Sequence, residues 1–380
     1  MNSVYEEHLD RVRAAINYED VDRVPVIACA SSSNAAVAGI TVARYCSDMQ
    51  ANVEANLKGY QALGDIDGVQ TTCFNPDCLP LTWLSRVKIP GKELSDNELW
   101  QMDEQEVVTQ DDYDAIIEGG FKPWLADVLV NRLDDPSSKL AACGFFEMSA
   151  KAKQLFMDAG LPNFCEKSLA GPIEKFCGGR TLMNFMGDDL YEIPEKVERV
   201  FDIVQESNLT DWEAQFKNPA TRPLGVWIGG WRGTPDLLSP EMFQTYAWKY
   251  MRQIAELCID YGVIPLFHLD SNWDNGIKYF KELPRHTCIL ALDGMTDIFK
   301  AREVIGDDQC LMGDVPASMS SFGTTEKVDA YCKRLIEEVG PRGYIMATGC
   351  DAPFNAKLEN LQTMVSSVKR YGPGAQAKTA

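Results

Sequence analysis

The chain has 380 residues, 45% of them apolar, which is enough to bury a large core. Its 36 basic and 56 acidic residues give a formal net charge of −20, a field that repels phosphate backbones and anionic lipid and so argues against nucleic acid or a membrane surface as partner. No apolar h-region stands in Met1–Asp20, no run approaches the roughly 18 residues of a spanning helix, and the 12 cysteines include no CxxC pair, which together point to a reducing cytoplasm.

A charged N-terminal segment comes first, and its His8 is expected to be solvated. Eight β-branched or apolar runs then read as strands: Val24–Cys29, Gly68–Phe74, Phe164–Ala170, Leu224–Gly230, Val263–His268, Cys288–Asp293, Cys310–Asp314 and Gly343–Gly349. Helical patterns separate them, such as Pro240–Tyr261, where Met242, Tyr246, Tyr250, Ile254 and Cys258 recur at helical spacing. Such alternation predicts an α/β fold with a parallel sheet, and eight units predict a closed (β/α)8 TIM barrel forming one domain, 1–380. No GxGxxG follows the first run, which disfavours an open dinucleotide-binding sheet. The segment Asn75–Asn163 is too long for one crossover. It reads as a helical insertion after strand 2, either a lid over the barrel mouth or an added helical layer. The small, polar tail Gly372–Ala380 is expected to be frayed.

Barrel active sites lie at the C-terminal ends of the strands. Those ends carry Thr72, Phe74 and Asn75; Gly230, Trp231 and Arg232; His268 and Asp270; Asp293; Asp314; and Gly349, Cys350 and Asp351. A ring of carboxylates, one imidazole and one thiol is costly to bury unless a metal or a substrate offsets the cost. His268 and Asp270 are two apart on a strand and so point to the same side. With a distant cysteine they form a chemically reasonable zinc set, although Asp270 orienting a satisfied His268 is equally compatible with the spacing. His286 precedes a strand and falls on the opposite face. Cys350 sits on a strand-end turn, whereas Cys310 begins its strand, which makes Asp314 the site residue of that strand and Cys310 a core residue.

At these motifs the chain resembles the uroporphyrinogen decarboxylase superfamily, and within it the corrinoid-dependent methyltransferase branch. The resemblance runs from Asp22 to Val368 through Asp22-Arg-Val-Pro, Leu169-Ala-Gly-Pro, Tyr191-Glu-Ile-Pro-Glu-Lys-Val, Leu290-Ala-Leu-Asp-Gly, Met312-Gly-Asp-Val-Pro and Gly349-Cys-Asp-Ala-Pro. The decarboxylases carry an arginine-rich N-terminal segment for substrate carboxylates. Here Cys29-Ala-Ser-Ser-Ser-Asn-Ala holds no basic cluster, which disfavours a tetrapyrrole substrate. The methyltransferases hold zinc with a His-x-Cys pair and a later Gly-Cys turn. The resemblance therefore implies zinc on His268, Asp270 and Cys350, with Glu174 as a possible fourth ligand. A carboxylate in place of one thiolate makes the metal harder and favours oxygen-bound methyl groups over a thiol substrate. The segment Gly225-Val-Trp-Ile-Gly-Gly-Trp-Arg-Gly resembles relatives that demethylate methyl-aryl ethers.

The reaction this implies moves a methyl group from a small methoxylated, aromatic donor to a Co(I) corrinoid, with zinc activating the ether oxygen. Asp293 or Asp314 would donate a proton or orient the donor. Phe74, Trp227, Trp231 and Arg232 would contact it. The corrinoid-binding pattern D-x-H-x-x-G is absent from the sequence, so the corrinoid is expected on a separate partner protein. Two other readings stand beside this one: a metal-free decarboxylase or lyase of the same superfamily, and a non-catalytic barrel that binds a small molecule.

Overall fold

The computed structural model describes residues 2–373. Helix α1 (Ser3–Ile16) opens the chain, capped by Asn2, whose side chain accepts the Val4 amide at 3.1 Å. Its buried stripe Leu9, Val12, Ala15 and Ile16 joins one apolar cluster with Ile27, Leu266, Ile289, Cys310, Met312 and Ile345. His8 is not solvated as expected. It is 8% exposed, and its Nδ1 lies 2.8 Å from the Gly160 carbonyl.

Eight parallel strands follow in chain order: β1 (Ile27–Ala28), β2 (Gly68–Val69), β3 (Lys167–Leu169), β4 (Gly225–Gly230), β5 (Ile264–Leu269), β6 (Ile289–Leu292), β7 (Cys310–Val315) and β8 (Tyr344–Thr348). Each falls within or overlaps one of the eight predicted runs. Strands β3 to β8 form one six-stranded sheet, and β1 pairs with β2. Single bridges, Val26 to Met346 and Val69 to Asn163, join the two sheets at their margins.

The strand order is that of a barrel, but the continuous closed ladder predicted from the sequence is not formed. Pro25 offers the Met346 amide its carbonyl at 2.9 Å and has no N–H to return. Beyond Val69 and Asn163 the two segments line a cavity instead of pairing with each other.

Alternation along the strands sorts the side chains. Leu266, Ile289, Ala291, Cys310, Met312, Ile345 and Ala347 belong to the interior cluster, with α1 packed against it. Val226, Ile228, Phe267, Leu269, Leu290, Leu292 and Leu311 face the surrounding helices in the larger cluster. His268 lies two positions after Leu266 and so faces inward at the C-terminal end of β5.

The insertion between β2 and β3 contains the helices Leu79–Trp83, Gln110–Gly119, Phe121–Asn131, Pro136–Ala142 and Phe145–Asp158. It is not purely helical: Arg86–Lys88 and Gln101–Asp103 pair as an antiparallel ribbon. A final helix, Leu358–Tyr371, runs to the start of the tail, which from residue 374 lies outside the described residues. Among the described residues no helix is long and apolar enough to cross a membrane.

Candidate metal centre and its cavity

His268 is the penultimate residue of β5, 7% exposed, in register with Gly229 on β4 and Ala291 on β6. Its Nε2 stands 3.2 Å from Asp270 Oδ1 and 3.6 Å from the Cys350 sulfur. Nδ1 is buried without a partner among the described residues. One ligand atom from each of the three residues lies within 4.8 Å of the other two. Burial opposes the charged form of His268, but its bonds to Asp270 and Cys350 outweigh that and raise its pKa well above 6.5. Cys350 is the exposed member, on the turn after β8. A side chain at Gly349 would meet the Asp293 carbonyl oxygen at 2.4 Å, so only glycine lets that turn close on the end of β6.

The three groups open into a cavity of about 600 Å³. Phe74, Trp227 and Trp231, expected from the sequence to contact a donor, lie in its wall, together with Trp83 and Trp100 of the insertion. The Trp227 ring lies across Gly229, where a side chain would meet it at 2.2 Å, and its centroid is 5.8 Å from that of His268. Trp83 meets Trp227 edge-on at 6.1 Å and Trp231 at 5.7 Å. Phe74 packs on Trp100 at 4.6 Å. Arg232 does not line the cavity. Its guanidinium sits 4.0 Å over the Trp231 ring and pairs with Glu104 at 2.8 Å.

Glu174 stands apart from the group of three. It is 2% exposed on the helix Pro172–Arg180, and its carboxylate accepts the amides of Trp231 (3.1 Å), Arg232 (2.9 Å) and Gly233 (2.8 Å) and the Trp83 indole (3.3 Å). It clasps the turn after β4 to the insertion. Asp293 and Asp314 also lie off the cavity wall. Asp293 accepts the Ser271 and Met295 amides at 2.9 and 2.8 Å, which fixes the turn that follows Asp270, and burial raises its pKa. Asp314 accepts the Tyr331 hydroxyl at 2.7 Å, and burial raises its pKa to about 6.

Asp351 has a larger part than its place in the predicted ring suggested. It lines the cavity, accepts the Ser31 amide at 2.6 Å and faces the Cys29 thiol at 3.6 Å. This ties the Cys350 turn to the chain leaving β1. Burial raises its pKa to about 6.

The family model for uroporphyrinogen decarboxylase (URO-D) matches residues 176–371, more than half of the 380-residue chain and the part that carries β4 to β8. The chain is 26% identical over 184 residues to a uroporphyrinogen decarboxylase of Syntrophotalea carbinolica, covering 48% of this chain and 50% of that one. It is 24% identical over 189 residues to the methylcobamide:CoM methyltransferase MtbA of Methanosarcina mazei, covering 49% and 51%. The chain thus spans about half the length of the curated relatives it matches. A solved methyltransferase from Methanosarcina mazei shares the fold with a TM-score of 0.70 at 18% identity, over 95% of this chain and 98% of that one.

Proposed function

The chain belongs to the uroporphyrinogen decarboxylase family, and within that family we propose that it is a methyltransferase, moving a methyl group from a small methoxylated aromatic donor to the Co(I) corrinoid of a separate protein, with zinc held by His268, Asp270 and Cys350. The observation that carries this reading is one nitrogen, one oxygen and one sulfur donor within 4.8 Å of one another at the end of a cavity walled by indoles. Zinc takes these ligand types and, in catalytic sites, three protein ligands plus one open position. His268 Nδ1, buried and unpaired, leaves Nε2 as the nitrogen aimed at Asp270 and Cys350. The chemistry that zinc supplies when bound is Lewis-acid polarisation of an ether oxygen, and a carboxylate in the set suits a hard oxygen ligand.

The chain's own residues do the rest. Trp83, Trp227 and Trp231 hold the donor ring by offset and edge contacts. Glu174 keeps that wall in place through the turn it clasps, and Asp293 orients the turn beside Asp270. Asp351 holds the Cys350 turn. The insertion excludes water from the reacting groups. In the transfer the bond from methyl carbon to oxygen breaks as the bond to cobalt forms. Co(I) supplies the electron pair, and the phenolate leaves and takes up a proton. Asp314, bonded to Tyr331 off the cavity, has no place in this sequence.

The test is to mix zinc-loaded protein with a reduced corrinoid protein and a panel of methoxyphenols and to follow the corrinoid spectrum. Methyl-Co(III) forms on the proposed reading. Carbon dioxide release from a carboxylated substrate, with no cobalt methylation across the panel, would favour a decarboxylase instead.

A further inference from the structure

The charge inside the cavity bears on which aromatic donor fits. Among the described residues its lining holds the carboxylates Asp270, Asp351 and Glu166, the last paired with Lys153 at 2.9 Å, and, apart from His268, one basic residue, Lys167. That ammonium does not serve the cavity. Lys167 lies on the same side of β3 as core-packed Leu169, and its Nζ donates to Gln215 on the helix Pro194–Lys217. Two more cations stand close by and are also engaged. Arg232 is paired with Glu104 and stacked on Trp231, and Lys175 donates to the Leu81 carbonyl at 2.5 Å. His268 Nε2 is taken up by Asp270 and the Cys350 sulfur. Indole and phenyl faces, which carry negative quadrupole charge, make up much of the remaining wall. The net charge of −20 adds repulsion at longer range.

An aromatic acid entering this space would give up the water around its carboxylate and, among the described residues, find no free guanidinium or ammonium in return. Zinc held by Asp270 and the Cys350 thiolate would carry no net charge, and the neutral indole, amide and hydroxyl donors of the wall replace the lost water only in part, which leaves a desolvation cost. A cavity of about 600 Å³ is also sized for a substituted ring, larger than a small quaternary ammonium ion requires. We infer that the cavity selects uncharged methoxyaromatic donors and discriminates against the corresponding carboxylates. This rests on the methyltransferase reading above and narrows its substrate class.

The experiment is titration calorimetry on the zinc-loaded full chain at neutral pH with four probes: 2-methoxyphenol, 4-hydroxy-3-methoxybenzoate, the methyl ester of that acid, and choline. The ester keeps the ring and bulk of the acid and removes its charge. The phenol and the ester are expected to bind at least about tenfold more tightly than the acid, and choline more weakly than either. Equal or tighter binding of the acid would overturn the inference and leave the methoxyaromatic reading standing. Tighter binding of choline would overturn it in favour of a cationic donor. Failure of every aromatic probe to bind would instead sink the methoxyaromatic donor itself, a result distinct from the other two.

Discussion

The Cys350 sulfur lies 3.6 Å from His268 Nε2, although 82 residues separate them in the chain. β5 and β8 end on the same side of the sheet, and the turn at Gly349, held by Asp351, brings the two groups together. His268→Ala and Cys350→Ala are each expected to weaken zinc binding by more than the roughly 10–100-fold seen for loss of an outer-shell partner. Both variants should keep the far-ultraviolet circular dichroism of the parent. Cys310→Ala, inside the barrel at the start of β7, should retain the metal and cost only about 1 kcal/mol. Metal content after dialysis decides it, and full retention in both site variants would refute the ligand assignment.

Glu174→Gln should retain zinc yet lose stability. Replacing one carboxylate oxygen by an amide nitrogen turns a donor towards N–H groups that now have an acceptor, at about 1–3 kcal/mol. Tryptophan emission should shift as well, because Trp83 and Trp231 are both held by this carboxylate. Loss of the metal would show that Glu174 is a ligand.

Asp67 is fully buried and accepts from Arg11 Nη1 at 2.5 Å, Arg23 Nη1 at 2.5 Å and the Val26 amide at 2.8 Å. It ties α1 to the start of β1. Asp67→Ala strips a counter-ion from two largely buried guanidiniums and is expected to cost about 3 kcal/mol in urea unfolding. A cost under about 1 kcal/mol would mean that Asp22, Glu7 and Asp65 satisfy those arginines without it.

Asp314 gives a pH signature. Burial raises its pKa from 3.8 to about 6, so the folded chain holds this proton more tightly than the unfolded one. Well below 3.8 both states are protonated and the group costs nothing. Between 3.8 and about 6 the unfolded state releases its proton first, so this group's contribution to stability falls as pH rises, and above about 6 the loss is complete. At roughly 1.4 kcal/mol per unit the full loss is about 2–3 kcal/mol. Asp314→Asn keeps an acceptor for Tyr331 without the charge. Its stability relative to the parent should therefore rise across that window and then level off, as read from urea midpoints. A difference independent of pH would contradict this.

Where a property depended on strand parity, it was legible in the sequence. His268 and Asp270, two apart at a strand end, share a side, and Cys310 at a strand start is core. Contacts between distant segments were not legible. The partners of Glu174 are backbone amides more than 50 residues away, and no side-chain pattern marks them. The bond from Asp351 to the Ser31 amide spans 320 residues. His8 has charged neighbours in sequence, but its burial depends on the turn at Gly160. The ribbon within the insertion pairs two three-residue segments, too short for alternation to register. Barrel closure was overestimated because apolar runs report which residues are buried, and Gln70–Phe74 is buried or half-buried around a cavity without pairing to β3.

Methyl transfer from an ether oxygen to cobalt can be followed through one labelled carbon. Zinc-loaded protein would be incubated with a reduced corrinoid protein and 2-methoxyphenol carrying an isotopic label in the methoxy group, with His268→Ala as the control. The expected result is label on cobalt and demethylated phenol in equal amounts, with neither formed by the variant. Phenol release without label on cobalt, or equal transfer by His268→Ala, would contradict the account.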